Sequence, residues 1–171
     1  MAVQSYVQIQ GAVQGDITAQ ASSQDSIGED YVEGEFQDMM AVQAFSHQIL
    51  KPTNPLTGQP TGQRVHQPLV MTTTFNKAVP LLFNALASGE ALPSVTIHWP
   101  RINPITATKD TFFTIELTDA LVSDIKIDIP HVADGSKSQI HQEVKISLSY
   151  AAIKWTHVDA NSEGSDSWRT A

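Results

Sequence analysis

The sequence predicts a mainly β fold: a small, mostly antiparallel β-barrel with one flanking α-helix and long extended loops. Three observations lead there. Segments such as SVTIHW, SDIKIDI and EVKISLSY alternate apolar and polar residues with period two. That alternation belongs to strands buried on one face only, and sheets with one wet face are mostly antiparallel. One amphipathic helical stripe stands out, and a single helix cannot cover both faces of a βαβ sheet. The connections are long, polar and punctuated by Pro and Gly. A closed or nearly closed barrel would also dispose of the edge strands.

In order along the chain, Val3 to Ile9 is a short β-favouring opening, and Asp16 to Glu35 reads as a long polar loop or irregular excursion. Met40, Val42 and Ala44 alternate with Ala41, Gln43 and Phe45, a strand without a cleanly polar face. A second polar connection runs from Lys51 to Gln67, followed by a strand through Leu69, Met71, Thr73 and Phe75. In KAVPLLFNALASG the residues Val79, Leu82, Phe83 and Leu86 fall at i, i+3, i+4, i+7, one apolar stripe on a helix over 77–88. Asn76 is a suitable N-cap and Gly89 a suitable left-handed terminator. Pro80 is tolerated because it falls in the first turn.

Three strands then read clearly. Val95, Ile97 and Trp99 share one face, Ile125, Ile127 and Ile129 the next, and Val144, Ile146, Leu148 and Tyr150 the third. Ile153 and Trp155 have the opposite parity, so a bulge near Ala151 and Ala152 is expected to re-aim the chain.

A chain of 171 residues supports one domain, spanning 1–171, with a sizeable core. The net charge of −8, with ten scattered basic residues, argues against a nucleic-acid partner. Absence of cysteine removes disulfides, thiol catalysis and thiolate metal sites. The start MAVQSYVQIQG has no basic–apolar signal pattern, and no window approaches the length of a membrane span. Export would therefore need a dedicated machine.

Chemical motifs point to no enzyme. LTGQPTGQRVHQP (Leu56 to Pro68) carries two glycines and two prolines, but no Lys follows the second glycine as a phosphate loop requires. Gly58 and Gly62 read instead as turn formers beside Pro60. The six histidines form no H-x-x-x-H pair, and G-x-S-x-G is absent. Neither catalytic residues, nor a cofactor, nor a metal site is expected. Loops this long inside a compact domain need a job.

Several stretches carry a resemblance: GDITAQASSQDSIG, YVEGEFQD, VQAFSHQI, GQPTGQRVHQP, FNKAVPLLFNALASGEALP, FFTIELTDALVSDI, EVKISLSYAAIKWTH and GSDSWR. In this order they resemble the Hcp family, the haemolysin-coregulated proteins of the bacterial type VI secretion inner tube, over nearly the whole chain. The resemblance implies a barrel subunit that closes into a homo-hexameric ring. Rings stack into a hollow tube, expelled by a contracting sheath, with a spike protein and effectors as further partners. It implies effector carriage in the lumen, residence in the cytoplasm before firing, and secretion without a signal peptide.

The resemblance makes Leu56 to Pro68 a loop reaching toward neighbouring subunits, with Gly58, Gln59, Pro60, Thr61, Gly62, Arg64 and His66 as contacts. Gln43 and Ala44 are the candidates for lumen and effector contact, one for each parity of strand 40–49. HWPRINPITATKDTFF departs from the family pattern, and Pro100 and Pro104 stiffen it. The chain stops soon after Trp168, as expected of a tube subunit without an appended toxin domain. The competing reading is a secreted monomeric β-barrel that binds or hydrolyses a small ligand, which would need an interior pocket with convergent polar groups.

Overall fold

A computed structural model of the protein describes residues 3–136 and 141–168. The strands are β1 (Ser5–Gly11), β2 (Gly15–Asp16), β3 (Met40–Val42), β4 (Ala44–Ser46), β5 (Ile49–Leu50) and β6 (Val65–His66). They continue as β7 (Leu69–Thr73), β8 (Leu92–Ile102), β9 (Lys109–Asp128), β10 (Glu143–Ser149), β11 (Ala152–His157) and β12 (Ser162–Ser167). The helices are α1 (Gln24–Ile27) and α2 (Ala78–Ser88). Every ladder is antiparallel, as the alternation predicts.

The long strand β9 organises the molecule. Its first part, through Ala120, pairs with β8 and β11, while residues from Leu121 onward pair with β10. Between the two, Asp119 takes φ +48°. That left-handed residue shifts the side-chain parity, so Ile115 and Leu117 face the core before it and Ala120 and Val122 after it. The result is two layers. One contains β3, β1, β8, the first part of β9, β11 and β12, and the other contains the second part of β9, β10, β7 and β4.

Val7, Ile9, Val95 and Ile97 of the first layer meet Leu69, Met71, Ile146 and Leu148 of the second in one core, all fully buried. Each such side chain stabilises the fold by about 1.5–3 kcal/mol through its removal from water. The chain crosses between layers at Ala151, since β10 lies on one part of β9 and β11 on the other. The expected re-aiming of Ile153 is met by this crossing, where Ala151 donates its N–H to Thr118.

The barrel is open. The hydrogen-bonded path runs β2-β1-β8-β9-β10-β7-β4 and does not return to its start. The segment 40–49, read as one strand, is split at Gln43: β3 lies on β1 and β4 on β7. The segment leans across the seam without completing a ladder.

Helix α2 begins and ends as its sequence predicts. Asn76 accepts the Ala78 N–H on its side chain at 2.9 Å, and Gly89 closes the helix at φ +66°. Its buried face is rotated from the expected stripe. Val79 and Leu82 are buried together with Ala78 and Ala85, while Phe83 and Leu86 are half-buried beside the core. The small alanines let the helix backbone approach the sheet.

The stretch 16–35, a loop or irregular excursion by sequence, is a folded excursion with α1, a 3-10 turn and the buried residues Ile17, Thr18, Ala21 and Ser22. Two other expectations need correction. Phe75 lies beyond β7 and is exposed. Of the triplet Ile125, Ile127 and Ile129, only Ile125 packs against the core; the other two extend past its edge.

Candidate functional site

The second layer is a four-stranded sheet, and its register sets out its outer face. Ala44, Thr72, Lys145 and Lys126 form one cross-strand row, and Ser46, Val70, Ser147 and Asp124 the next. Cross-strand partners share a face, so these rows lie opposite the core. Small and hydroxyl side chains dominate, with Lys126 paired to Asp128 at 3.0 Å. Among the described residues, this layer has two unpaired edges. One is β4, and the other is the part of β9 beyond Ala120, which pairs only with β10. Unpaired strand edges are templates for another chain.

An arm projects from the same layer. Its base is the two-pair ladder of β5 and β6, and Thr53 bridges Pro60 further out. Asn54 and Gln59 continue the pairing, with the Asn54 N–H donating to the Gln59 carbonyl at 2.8 Å. At the tip Gly58 takes φ +70°, a left-handed conformation that favours glycine. The expected loop is thus a hydrogen-bonded hairpin. Leu56 stands at its tip 93 % exposed.

The predicted contact residues divide along this arm. Gly58, Gln59, Pro60, Thr61 and Gly62 are exposed. Arg64 and His66 are turned into the chain itself. Asp166 on β12 accepts from Arg64 Nε and, at 2.7 Å, hydrogen-bonds His66 Nε2. His66 Nδ1 lies 2.7 Å from the Tyr150 hydroxyl, and His47 Nε2 lies 2.7 Å from the same oxygen. Trp168 covers His66 with ring centroids 4.9 Å apart. A partly buried polar chain therefore fastens the arm root to the ends of β10 and β12.

Electrostatics match this structural role. The Arg64 hydrogen bond leads in lowering the Asp166 carboxyl to about 2, against some opposing desolvation. Burial pushes the Tyr150 phenol up, and the Asp166 charge adds to it. Tyr150 therefore keeps its proton and acts as a bridge rather than a nucleophile. Burial, then the neighbouring His66, pushes His47 down. His98, on the face of β8 opposite Val95 and Ile97, is half-buried; burial lowers it too, and its Nε2 lacks a hydrogen-bond partner among the described residues. Among the described residues, no group of three or more His, Asp or Glu is placed to hold a metal ion.

Gln43 and Ala44 are both exposed, at different places. Ala44 stands in the outer rows of the four-stranded layer. Gln43 sits at the seam and lines an open cleft of about 740 Å³ with Gln4, Ala41, Phe75 and Ile129. Sequence reading missed Tyr150, Asp166 and Glu90 as organising residues. Their partners lie 84, 100 and 76 positions away, so no local spacing signals them. No described helix is long and apolar enough to cross a membrane.

Comparison with known proteins agrees with this architecture. The profile of the family described as "Type VI secretion system effector, Hcp" matches residues 6–157. The "Major exported protein" of Pseudomonas aeruginosa is 42 % identical over 170 residues, covering 99 % of this chain and 98 % of that one. Among solved structures, "Crystal structure of Hcp protein" superposes with a TM-score of 0.89 at 38 % identity, covering 99 % of this chain and 100 % of the other. "Secreted protein Hcp3 from Pseudomonas aeruginosa" gives 0.79 at 38 % identity, over 96 % and 99 % of the two chains. With the match running through both layers and the arm, the chain belongs to the Hcp family of type VI secretion system proteins.

Proposed function

We propose that the chain is a structural subunit of the type VI inner tube, closing into homo-hexameric rings that stack and are expelled by sheath contraction. The observation that carries this reading is the four-stranded layer, which among the described residues has an unpaired edge on each side. Those edges are different strands, so they suit a heterologous contact in which β9 of one copy adds to β4 of the next. Rotation closes such contacts into a ring. The layers of all copies then make one continuous inner wall, and the subunit acts without catalysis.

In that ring the rows containing Ala44 and Lys145 face the lumen, which gives the inward parity to Ala44 rather than to Gln43. Hydroxyl and amine groups there make hydrogen bonds that water can replace, holding an effector weakly enough to release it. The exposed stretch Gly58–Gly62 meets a neighbouring subunit or the adjacent ring, and Arg64 and His66 hold the arm in place for that contact. The sheath, the spike protein and the effectors are the remaining partners. The subunit waits in the cytoplasm and leaves through the apparatus without a signal peptide. Relatives named "Major exported protein" support export.

The test replaces Gly58–Gly62 with a short Gly/Ser linker. Far-ultraviolet circular dichroism is expected to be unchanged, because these residues bury no core. Stacked tubes seen by electron microscopy, and secretion from cells bearing the apparatus, are expected to fall. Unchanged tubes and secretion would remove the arm from assembly.

A further inference from the structure

The polar chain at the arm root has a hydrogen-bond count that depends on protonation. Asp166 is a carboxylate and can only accept, so His66 Nε2 carries a proton and donates to it. What remains is the Tyr150 oxygen, 2.7 Å from His66 Nδ1 and 2.7 Å from His47 Nε2. With both imidazoles neutral, the tyrosine donates to His66 Nδ1 and accepts from His47 Nε2. With His66 charged, the direction reverses: His66 donates and the tyrosine donates on to His47. With His47 charged instead, the neutral arrangement is kept. One added proton fits in every case.

Two do not fit. Both ring nitrogens then point hydrogens at one oxygen, the tyrosine proton has no acceptor within the chain, and two cations sit a single hydroxyl apart. Among the described residues, the charged and titratable groups facing the pair are Tyr150 just beyond β10, Asp166 on β12 and Arg64 on the arm itself. Asp166, which Arg64 also engages, holds His66. His47 has the Tyr150 hydroxyl as its side-chain hydrogen-bond partner here, and it is only half-buried. When strain comes, His47 is the ring that leaves.

We infer that the His47–Tyr150–His66–Asp166 chain is an acid-sensitive latch that holds the first strand of the arm closed while at most one imidazole is charged. Release of His47 frees the segment leading into β5, whose hold on β6 is a ladder of only two pairs extended by the Gln67 N–H to the Gln48 carbonyl. The latch is a property of the chain and does not depend on what the arm contacts. Its direction follows from linkage. The closed arm binds fewer protons than the open arm, so closure is full above the unperturbed histidine range and lost as pH falls through it. For one excluded proton with an ordinary open-state pKa, opening rises about 25-fold between pH 7 and pH 5.

The test is hydrogen exchange of peptides covering 47–67 in the full chain from pH 7 to pH 5, corrected for the intrinsic pH dependence of exchange. Arm opening in the wild type is expected to rise by at least tenfold, toward the ~25-fold limit, while peptides of α2 stay protected. His47→Gln keeps an amide that can donate to or accept from Tyr150 but cannot be charged, and its arm exchange is expected to be flat with pH. Tyr150→Phe removes the oxygen both rings share; its arm is expected to be more open at pH 7 and equally flat. A wild-type change below about threefold overturns the latch, as does a His47→Gln variant that keeps the wild-type pH response. The latter result would mean that acid acts on contacts between copies instead.

Discussion

Replacing Glu90 with Gln tests how a single buried carboxylate joins helix to sheet. Glu90 follows the Gly89 terminator of α2 and is 8 % exposed. One carboxylate oxygen accepts the backbone N–H groups of Val13 and Gln14, each at 2.8 Å, and the other accepts Gln14 Nε2 at 2.7 Å. Gln14 Nε2 also donates to the Leu81 carbonyl at 3.0 Å, so the clamp grips the β1–β2 turn and the helix together. Gly11 leaves room for it, because a Cβ there would land on the carboxylate. Glutamine at 90 preserves the shape but turns one acceptor into a donor facing the Gln14 amide. Gln14 can flip to satisfy it only by giving up Leu81.

A hydrogen bond to a charged group contributes about 1.5–3 kcal/mol, and losses in one cluster do not add fully, so Glu90→Gln is expected to cost about 2–4 kcal/mol at pH 7. The assay is urea unfolding at one fixed protein concentration, since assembly raises apparent stability. Accepted hydrogen bonds, led by the Gln14 N–H, hold the Glu90 pKa below its ordinary 4.5 against some desolvation. Its contribution is therefore full above 4.5 and is lost as pH falls through the lowered folded value. The gap between wild type and variant is expected to narrow over that window. A gap under about 0.5 kcal/mol at pH 7, or one that ignores acid, would refute the clamp.

Other substitutions probe the core and the inner wall. Leu82→Ala empties a fully buried site on α2 and is expected to cost about 2–5 kcal/mol in the same unfolding assay, with Phe83→Ala costing less because Phe83 is half-buried. Ala44→Glu is expected to lower the abundance of a co-expressed effector while the ring persists, and Gln43→Glu to leave it unchanged. Normal cargo in every ring-competent variant would remove this face from effector binding.

How legible these features were depended on how local their causes are. Strand β10 and the stretch Val95 to Trp99 of β8 announce themselves because their alternation is regular, and α2 because its stripe and both ends are written in adjacent residues. Strand β9 hides its role: Asp119 flips the parity in mid-strand, so no single period runs through FFTIELTDALVSDI. The break at Gln43 is likewise set by which of two layers each half of the segment meets. In the arm, Gly58 is local chemistry and reads correctly as a turn former, whereas Pro60 lies in the paired returning leg beside Thr53. Arg64 and His66 were expected as contacts because the resemblance makes 56–68 a loop that reaches toward neighbouring subunits. Their partners, Asp166 and Tyr150, come from strands far along the chain, and only the crossing at Ala151 brings those strands to the arm.

The central claim is that the open-edged layer is completed by other copies of the chain, and the mass of the native protein tests it most directly. Multi-angle light scattering or native mass spectrometry at micromolar concentration is expected to give a species near six times the 18.6 kDa chain. A persistent 18.6 kDa monomer under native conditions would contradict the account, because the two unpaired edges would then have no partner to seal them.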